Sequence, residues 1–199
     1  MYEEIGGPEF EIITVAQDML GEEATAEWHD QTELTYTTLI DTTHRVTSLY
    51  NLVNVPAGIW VDEEGRIRRI NHGTFTPAYP DPTYNSSEYV DAVSDWVANG
   101  EDSEYVWSDE EIRANLRAPS SDEALAEPTF KLGVYFYERG DEPRARGYWE
   151  RAQALAPDNW NYHRQDWNLT EGLAGERFIE KFQSLDGQPY YEPLDLPSR

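Results

Sequence analysis

The chain of 199 residues contains no cysteine, which removes disulfides, thiolate metal sites and cysteine nucleophiles together. It also leaves the redox compartment unread. Basic residues are scarce: 15 Lys and Arg stand against 39 Asp and Glu, for a formal net charge of -24. That charge repels phosphate backbones, and the densest basic group is only Arg66, Arg68 and Arg69, so no nucleic-acid partner is expected. An anionic membrane surface is disfavoured for the same reason. No apolar run approaches the length of a membrane span, and Met1-Tyr2-Glu3-Glu4-Ile5 lacks the basic start and apolar stretch of a signal peptide. No membrane contact is expected from this chain, which reads as cytoplasmic as given. Lysine is rarer still, with only Lys131 and Lys181. An acid-rich, lysine-poor surface suits high salt, where screening relieves self-repulsion; an arginine-preferring genome produces the same bias.

What the chain has is a core's worth of apolar residues. Hydrophobic residues make up 39% and aromatics 13%, too many for a disordered acidic chain. Phe10 to Ala16 reads as a buried strand, Glu22 to Gln31 as a helix with Ala24 and Trp28 on one face, and Thr35 to Ile40 as a second strand. Thr43 is placed to cap a helix with Val46, Leu49 and Tyr50 as its apolar stripe. Residues 57–61 and 66–71 form a strand pair around a turn with Gly65 in the left-handed position. Residues 74–87, with three prolines, form a loop. Asn85 opens a helix that buries Tyr89, Val90, Val93, Trp96 and Val97 and ends at Asn99-Gly100. Ser108 with Glu111 makes a capping box for a short helix, and Ala118 to Asp122 is a linker. Beyond it the pattern is helical to about Leu185, followed by a proline-rich tail. The expected architecture is therefore α/β over 1–117, all-helical over 122–186, and a tail over 187–199.

The helical unit resembles a tetratricopeptide repeat. In a 34-residue frame starting at Ala126, Leu132-Gly133, Phe136, Gly140, Ala145, Trp149, Ala152 and Pro157 fall on the repeat's characteristic positions. Gly133, Ala145 and Ala152 let two antiparallel helices approach, Phe136 and Trp149 fill the remaining space, and Asp141 with Pro143 starts the second helix. Trp160, His163, Arg164 and Trp167 suggest a third helix, and Phe178, Ile179, Phe182 and Leu185 a fourth. One repeat rarely buries enough surface to stand alone, so a stabilising appendage and a protein-docking groove are both open readings. For docking, the candidates are Phe136, Trp149, Trp160 and Trp167. Trp107, Trp160 and Trp167 are also candidates for an interface between the two units.

Glu11 to Asp18, Thr38 to Asp41, Leu49 to Leu52 and above all Val53-Asn54-Val55-Pro56-Ala57-Gly58-Ile59-Trp60-Val61-Asp62-Glu63-Glu64-Gly65-Arg66-Ile67 resemble the thioredoxin-like redoxins. This branch comprises the alkyl hydroperoxide reductase/thiol-specific antioxidant proteins and thiol-disulfide reductases, and the match covers roughly residues 1–100. The resemblance implies that Pro56 is a cis-proline and that Val55 offers backbone groups to an extended thiol substrate. It also implies a central strand and a cysteine-bearing helix upstream of Phe10, where only Met1 to Gly7 and Pro8-Glu9 stand. Without that strand, the strand at 10–16 and the one at 57–61 must pair directly or leave an open edge. The expectation is thus a truncated thioredoxin-like domain, the later part of a longer redoxin, followed by a tetratricopeptide-like module. A redox-dead remnant serving as an interaction scaffold is the alternative. The family is of oxidoreductase or antioxidant type, but this chain can supply no thiolate and no catalytic residue.

No cofactor is implied. His29, His44, His72 and His163 show no ligand spacing, the pair His163 and Asp166 is a weak metal signal, and no phosphate-binding, dinucleotide or Gly-x-Ser-x-Gly motif occurs.

Overall fold

A computed structural model describes residues 5, 7–30, 35–73, 86–116, 118–170 and 175–197. The loop expected over 74–87 falls largely outside them, as does the side chain of Trp28. Strand β1 (Ile13–Gln17) and strand β2 (Thr37–Asp41) pair in parallel, with helix α1 (Glu22–Asp30) between them. Two carboxylates, Glu22 and Glu23, occupy the first turn of α1, where the helix dipole favours them. Across the β1–β2 pair, Thr14 donates to Thr38 at 3.3 Å on one face, while Ile13 and Leu39 leave the other face half open.

Helix α2 (Arg45–Leu49) corrects the expectation for Thr43. Its N-terminus is capped from two residues further upstream: Asp41 Oδ2 accepts from the Val46 amide at 2.7 Å, and Asp41 Oδ1 from the Thr43 amide at 3.1 Å. These hydrogen bonds hold the Asp41 carboxyl below its usual range against the opposing effect of burial. His44, at the N-cap position, sits in the left-handed region at φ 56°. Of the expected apolar stripe, Val46 and Tyr50 are half-buried, with Tyr50 against Leu52, Ile70 and Trp107, whereas Leu49 is 70% exposed.

Strands β3 (Ala57–Val61) and β4 (Ile67–His72) form the expected antiparallel hairpin, with Gly65 at φ 80°. Asp62 organises the turn by accepting from the Glu64 and Arg66 amides. A bulge between Trp60 and Val61 accounts for the broken alternation of Ile67 and Ile70. Among the described residues, the two pairs remain separate sheets. Of the two expected outcomes the open edge is the one seen: among the described residues β1 and β3 do not pair, and each has one hydrogen-bonded neighbour.

Helix α3 (Ser86–Asn99) buries Tyr89, Ala92 and Val93 against Trp60. Trp60 Nε1 donates to Tyr89 Oη at 2.8 Å, and Trp96 stacks on Trp60 with ring centroids 5.0 Å apart. Helix α4 (Asp109–Asn115) begins with the expected Ser108–Glu111 capping box. A second box, Ser120 with Glu123, starts helix α5 (Ser121–Tyr137), so the end of the expected linker is already a helix cap.

Helices α5 and α6 (Glu142–Leu155) pack as an antiparallel hairpin around Phe130, Ala145, Trp149 and Ala152. A methyl group on Gly133 would overlap the Trp149 indole at Cδ1 and Nε1, so only glycine allows this approach. Asp141 caps α6 through the Arg144 amide, with Pro143 in the first turn. Helices α7 (Trp160–Thr170) and α8 (Glu176–Gln183) follow where the sequence places them. The molecule is thus mixed α/β, helix-rich, with two small sheets. No described helix is long and apolar enough to cross a membrane.

Candidate functional site: the junction at Val55

Helix α7 presents a polar stripe to the α/β unit. Asn161, Arg164, Gln165 and Asn168 fall at i, i+3, i+4 and i+7, which is one helix face. Asn161 Nδ2 donates to the Leu52 carbonyl at 2.8 Å, and Arg164 Nη1 to the Val55 carbonyl at 2.8 Å. Asn168 Nδ2 donates to Asp18 at 3.2 Å. Gln165 Oε1 accepts twice, from the Met19 amide at 3.3 Å and from His44 Nε2 at 2.9 Å. The Met19 amide can only donate, which fixes the amide orientation and therefore puts the His44 proton on Nε2. His44 is 2% exposed, lies edge-on to Phe130, and has its pKa lowered by burial; its Nδ1 has no partner.

The residue singled out by the resemblance lies at the centre of this junction. The Val55–Pro56 peptide is cis. The Val55 carbonyl accepts a second hydrogen bond, from Tyr191 Oη at 3.0 Å, while the Val55 amide is held by Asn54 Oδ1 at 2.9 Å. Pro56 is exposed beside it. The backbone groups of Val55 are therefore occupied by the chain's own side chains.

The aromatic candidates are placed differently. Trp149 is 0%, Trp160 5% and Trp167 4% exposed, so none of the three offers a surface for docking. Trp160 and Trp167 meet each other, Phe178 and, for Trp160, Tyr190. They close the helical unit onto α8 and the tail, while the junction is built by the polar face of α7. Trp107 belongs to the α/β unit, against Leu52 and Ile70, with the Arg69 guanidinium 5.1 Å from its ring. Phe136 is half-buried, stacked on Tyr148 with Arg144 over its ring.

Missed by the sequence reading is an exposed apolar row on α5, Leu125, Leu132 and Tyr135, each more than 40% exposed. Of these, Tyr135 lines a cleft of about 560 Å³ between α2 and α5, together with Arg45, Leu49 and Lys131.

His163 does not pair with Asp166. Its Nε2 faces the Pro157 carbonyl, and burial together with Lys181 brings its pKa down to about 4. Asp166 instead accepts from Gln153 and Arg177. Among the described residues, no three potential ligands gather into a metal site. Compared with family models, curated proteins and solved structures, the chain matches none.

Proposed function

We propose that the first unit is a thioredoxin-like domain of redoxin type, of thiol-disulfide oxidoreductase or antioxidant class, and that this chain is redox-inactive by itself. The observation that carries the reading is the pair of separate two-stranded sheets. Among the described residues, a parallel β1–β2 unit is followed by a β3–β4 hairpin and the packed helix α3, with no strand between β1 and β3 where the resemblance sets one. Redoxin chemistry needs a low-pKa thiolate beside Pro56, and a chain without cysteine cannot provide one. Turnover in insulin reduction or peroxide consumption above that of a Pro56→Ala control would overturn the inactivity of this chain.

A second reading, a non-catalytic scaffold that meets a protein partner through a tetratricopeptide-like module, is favoured by the exposed row on α5 and by the occupied Val55 carbonyl. Intact mass from the native source separates the two. A mass well above 23.0 kDa supports a longer redoxin, and a mass at 23.0 kDa supports the scaffold.

A further inference from the structure

The tail after α8 is not a loose end. Residues 188–197, irregular and bent at Tyr190 and Tyr191, run back across the α/β unit. Tyr191 is buried, and its hydroxyl donates to the Val55 carbonyl. The Tyr190 carbonyl accepts from Asn54 Nδ2 at 3.3 Å, and the Tyr190 hydroxyl lies 3.4 Å from Asn54 Oδ1. Two residues apart, as on one side of an extended chain, Leu194 and Leu196 pack on the cluster of Trp60, Tyr89 and Val93. Glu192 is the acidic neighbour of half-buried His72, and Asp195 joins Glu111 as an acidic neighbour of the buried guanidinium of Arg69. Arg69 Nη2 has no hydrogen-bond partner, although the residue is 2% exposed.

The segment makes these contacts as a ligand would. Among the described residues, no backbone–backbone hydrogen bond holds residues 189–197 to either sheet. Nor does it fill its seat: a cleft of about 150 Å³ remains between Glu192, Pro193 and Asp195 on one side and His72, Trp107 and Leu116 on the other. A segment held to the described residues by side chains rather than by a ladder belongs to the low-stability end of a fold and opens before the core does.

We propose that residues 189–197 are a releasable strap, an internal occupant of a peptide-binding groove built from Asn54, Val55, His72, Trp107 and the Trp60–Tyr89 face. The outside ligand is a peptide of a partner protein with the strap's chemistry: a tyrosine to donate to the Val55 carbonyl, one acidic residue toward His72 and another toward Arg69, and two leucines spaced by one residue. A strap exchanged from a second copy is disfavoured, because two chains of -24 repel. The inference rests on the contacts of the tail and stands whether or not the first unit is a redoxin.

The tethered strap competes at an effective concentration in the millimolar range, so a free peptide meets an occupied groove in the native chain. The test uses a fluorescein-labelled peptide with the sequence of residues 188–197 and the full-length chain, wild type and Y191A/L194A. Fluorescence anisotropy is expected to show at least tenfold tighter binding to the variant, lost again when N54A is added, with no binding of a scrambled peptide. Equal binding to both forms, or binding to neither with helical circular dichroism intact, overturns the proposal. If the variant does not fold, carboxypeptidase digestion of the wild type decides. Trimming past Leu194 to Tyr191 while helical circular dichroism is retained supports release, and a tail resistant until the whole chain unfolds refutes it. A concentration-dependent dimer of the wild type that dissociates on adding the peptide would assign the groove to a second copy and overturn the partner assignment.

Discussion

A single missing methyl group governs the contact between α5 and α6. Gly133 lies against the face of Trp149, and any side chain there must displace an indole that is itself 0% exposed. Gly133→Ala gains helix propensity of roughly 0.5–1 kcal/mol but overpacks a rigid site, which typically costs 1–3 kcal/mol. The steric term is the larger, so a net loss of about 1–2 kcal/mol is expected as a lowered urea midpoint with unchanged m-value. An unchanged or raised midpoint would mean that the helices can slide apart freely. At the same scale, His163 ties stability to acid. Its folded pKa of about 4 lies below its ordinary 6.5, so the fold holds it neutral. Its contribution is complete above pH 6.5 and is lost as the pH falls toward 4. Urea midpoints measured across that window should fall for the wild type and fall less steeply for H163Q; His44, also held neutral by burial, leaves a residual slope. Parallel slopes would show that His163 does not titrate with unfolding.

Between elements, the sequence is legible where one residue type answers one geometric demand. Gly65 in its turn, the Ser108–Glu111 box and the Gly133–Trp149 contact all follow from spacing, because turn, cap and close approach each admit few residues. The junction was not legible, and α7 shows why. Its aromatic residues Trp160 and Trp167 are seven apart, and so are the polar residues Asn161 and Asn168, displaced by one position. An aromatic heptad announces burial, whereas a polar one looks like a solvated face until a second unit is known to cover it. Of the row Leu125, Leu132 and Tyr135, only Leu132 stands out in the sequence, by its place in the repeat frame, and its exposure does not follow from spacing. The cap of α2 escaped because Asp41 reaches over the residues between it and the helix. If the polar stripe joins the two units, Gln165→Ala should be costly, because it strands the buried His44 Nε2–H and the Met19 amide. A loss of roughly 1–3 kcal/mol is expected from an unsatisfied buried donor. A larger rise in proteolytic cleavage between residues 116 and 120 than in G133A would mark the loss as belonging to the junction. A cost below about 0.5 kcal/mol would mean that water replaces Gln165 and the stripe is dispensable.

For the whole molecule, charge decides the conditions under which all of this holds together. Salt weakens attraction and repulsion alike. The attractive side is small among the described residues: Arg66 serves Asp62, Glu64 and Glu101 together, three pairs join exposed side chains of neighbouring turns, and besides Arg66 only Arg68 and Arg177 reach shielded carboxylates, Asp62 and Asp166. Such exposed pairs contribute little each. Against them stand 39 acidic residues and only 15 basic ones. Compaction brings the surplus carboxylates closer than they stand in the unfolded chain, so the folded state carries more of the repulsion. Raising the salt from about 0.1 M to 1 M shortens the screening length from roughly 10 Å to 3 Å and should relieve it. The melting temperature is therefore expected to rise by about 5 °C, or roughly 1–2 kcal/mol for a chain of this size. Sodium and potassium chloride should act alike, because screening depends on ion charge. A flat or falling melting temperature would show that the ion pairs outweigh the surplus, and the acidic surface would then need a reason other than a salt-rich surrounding.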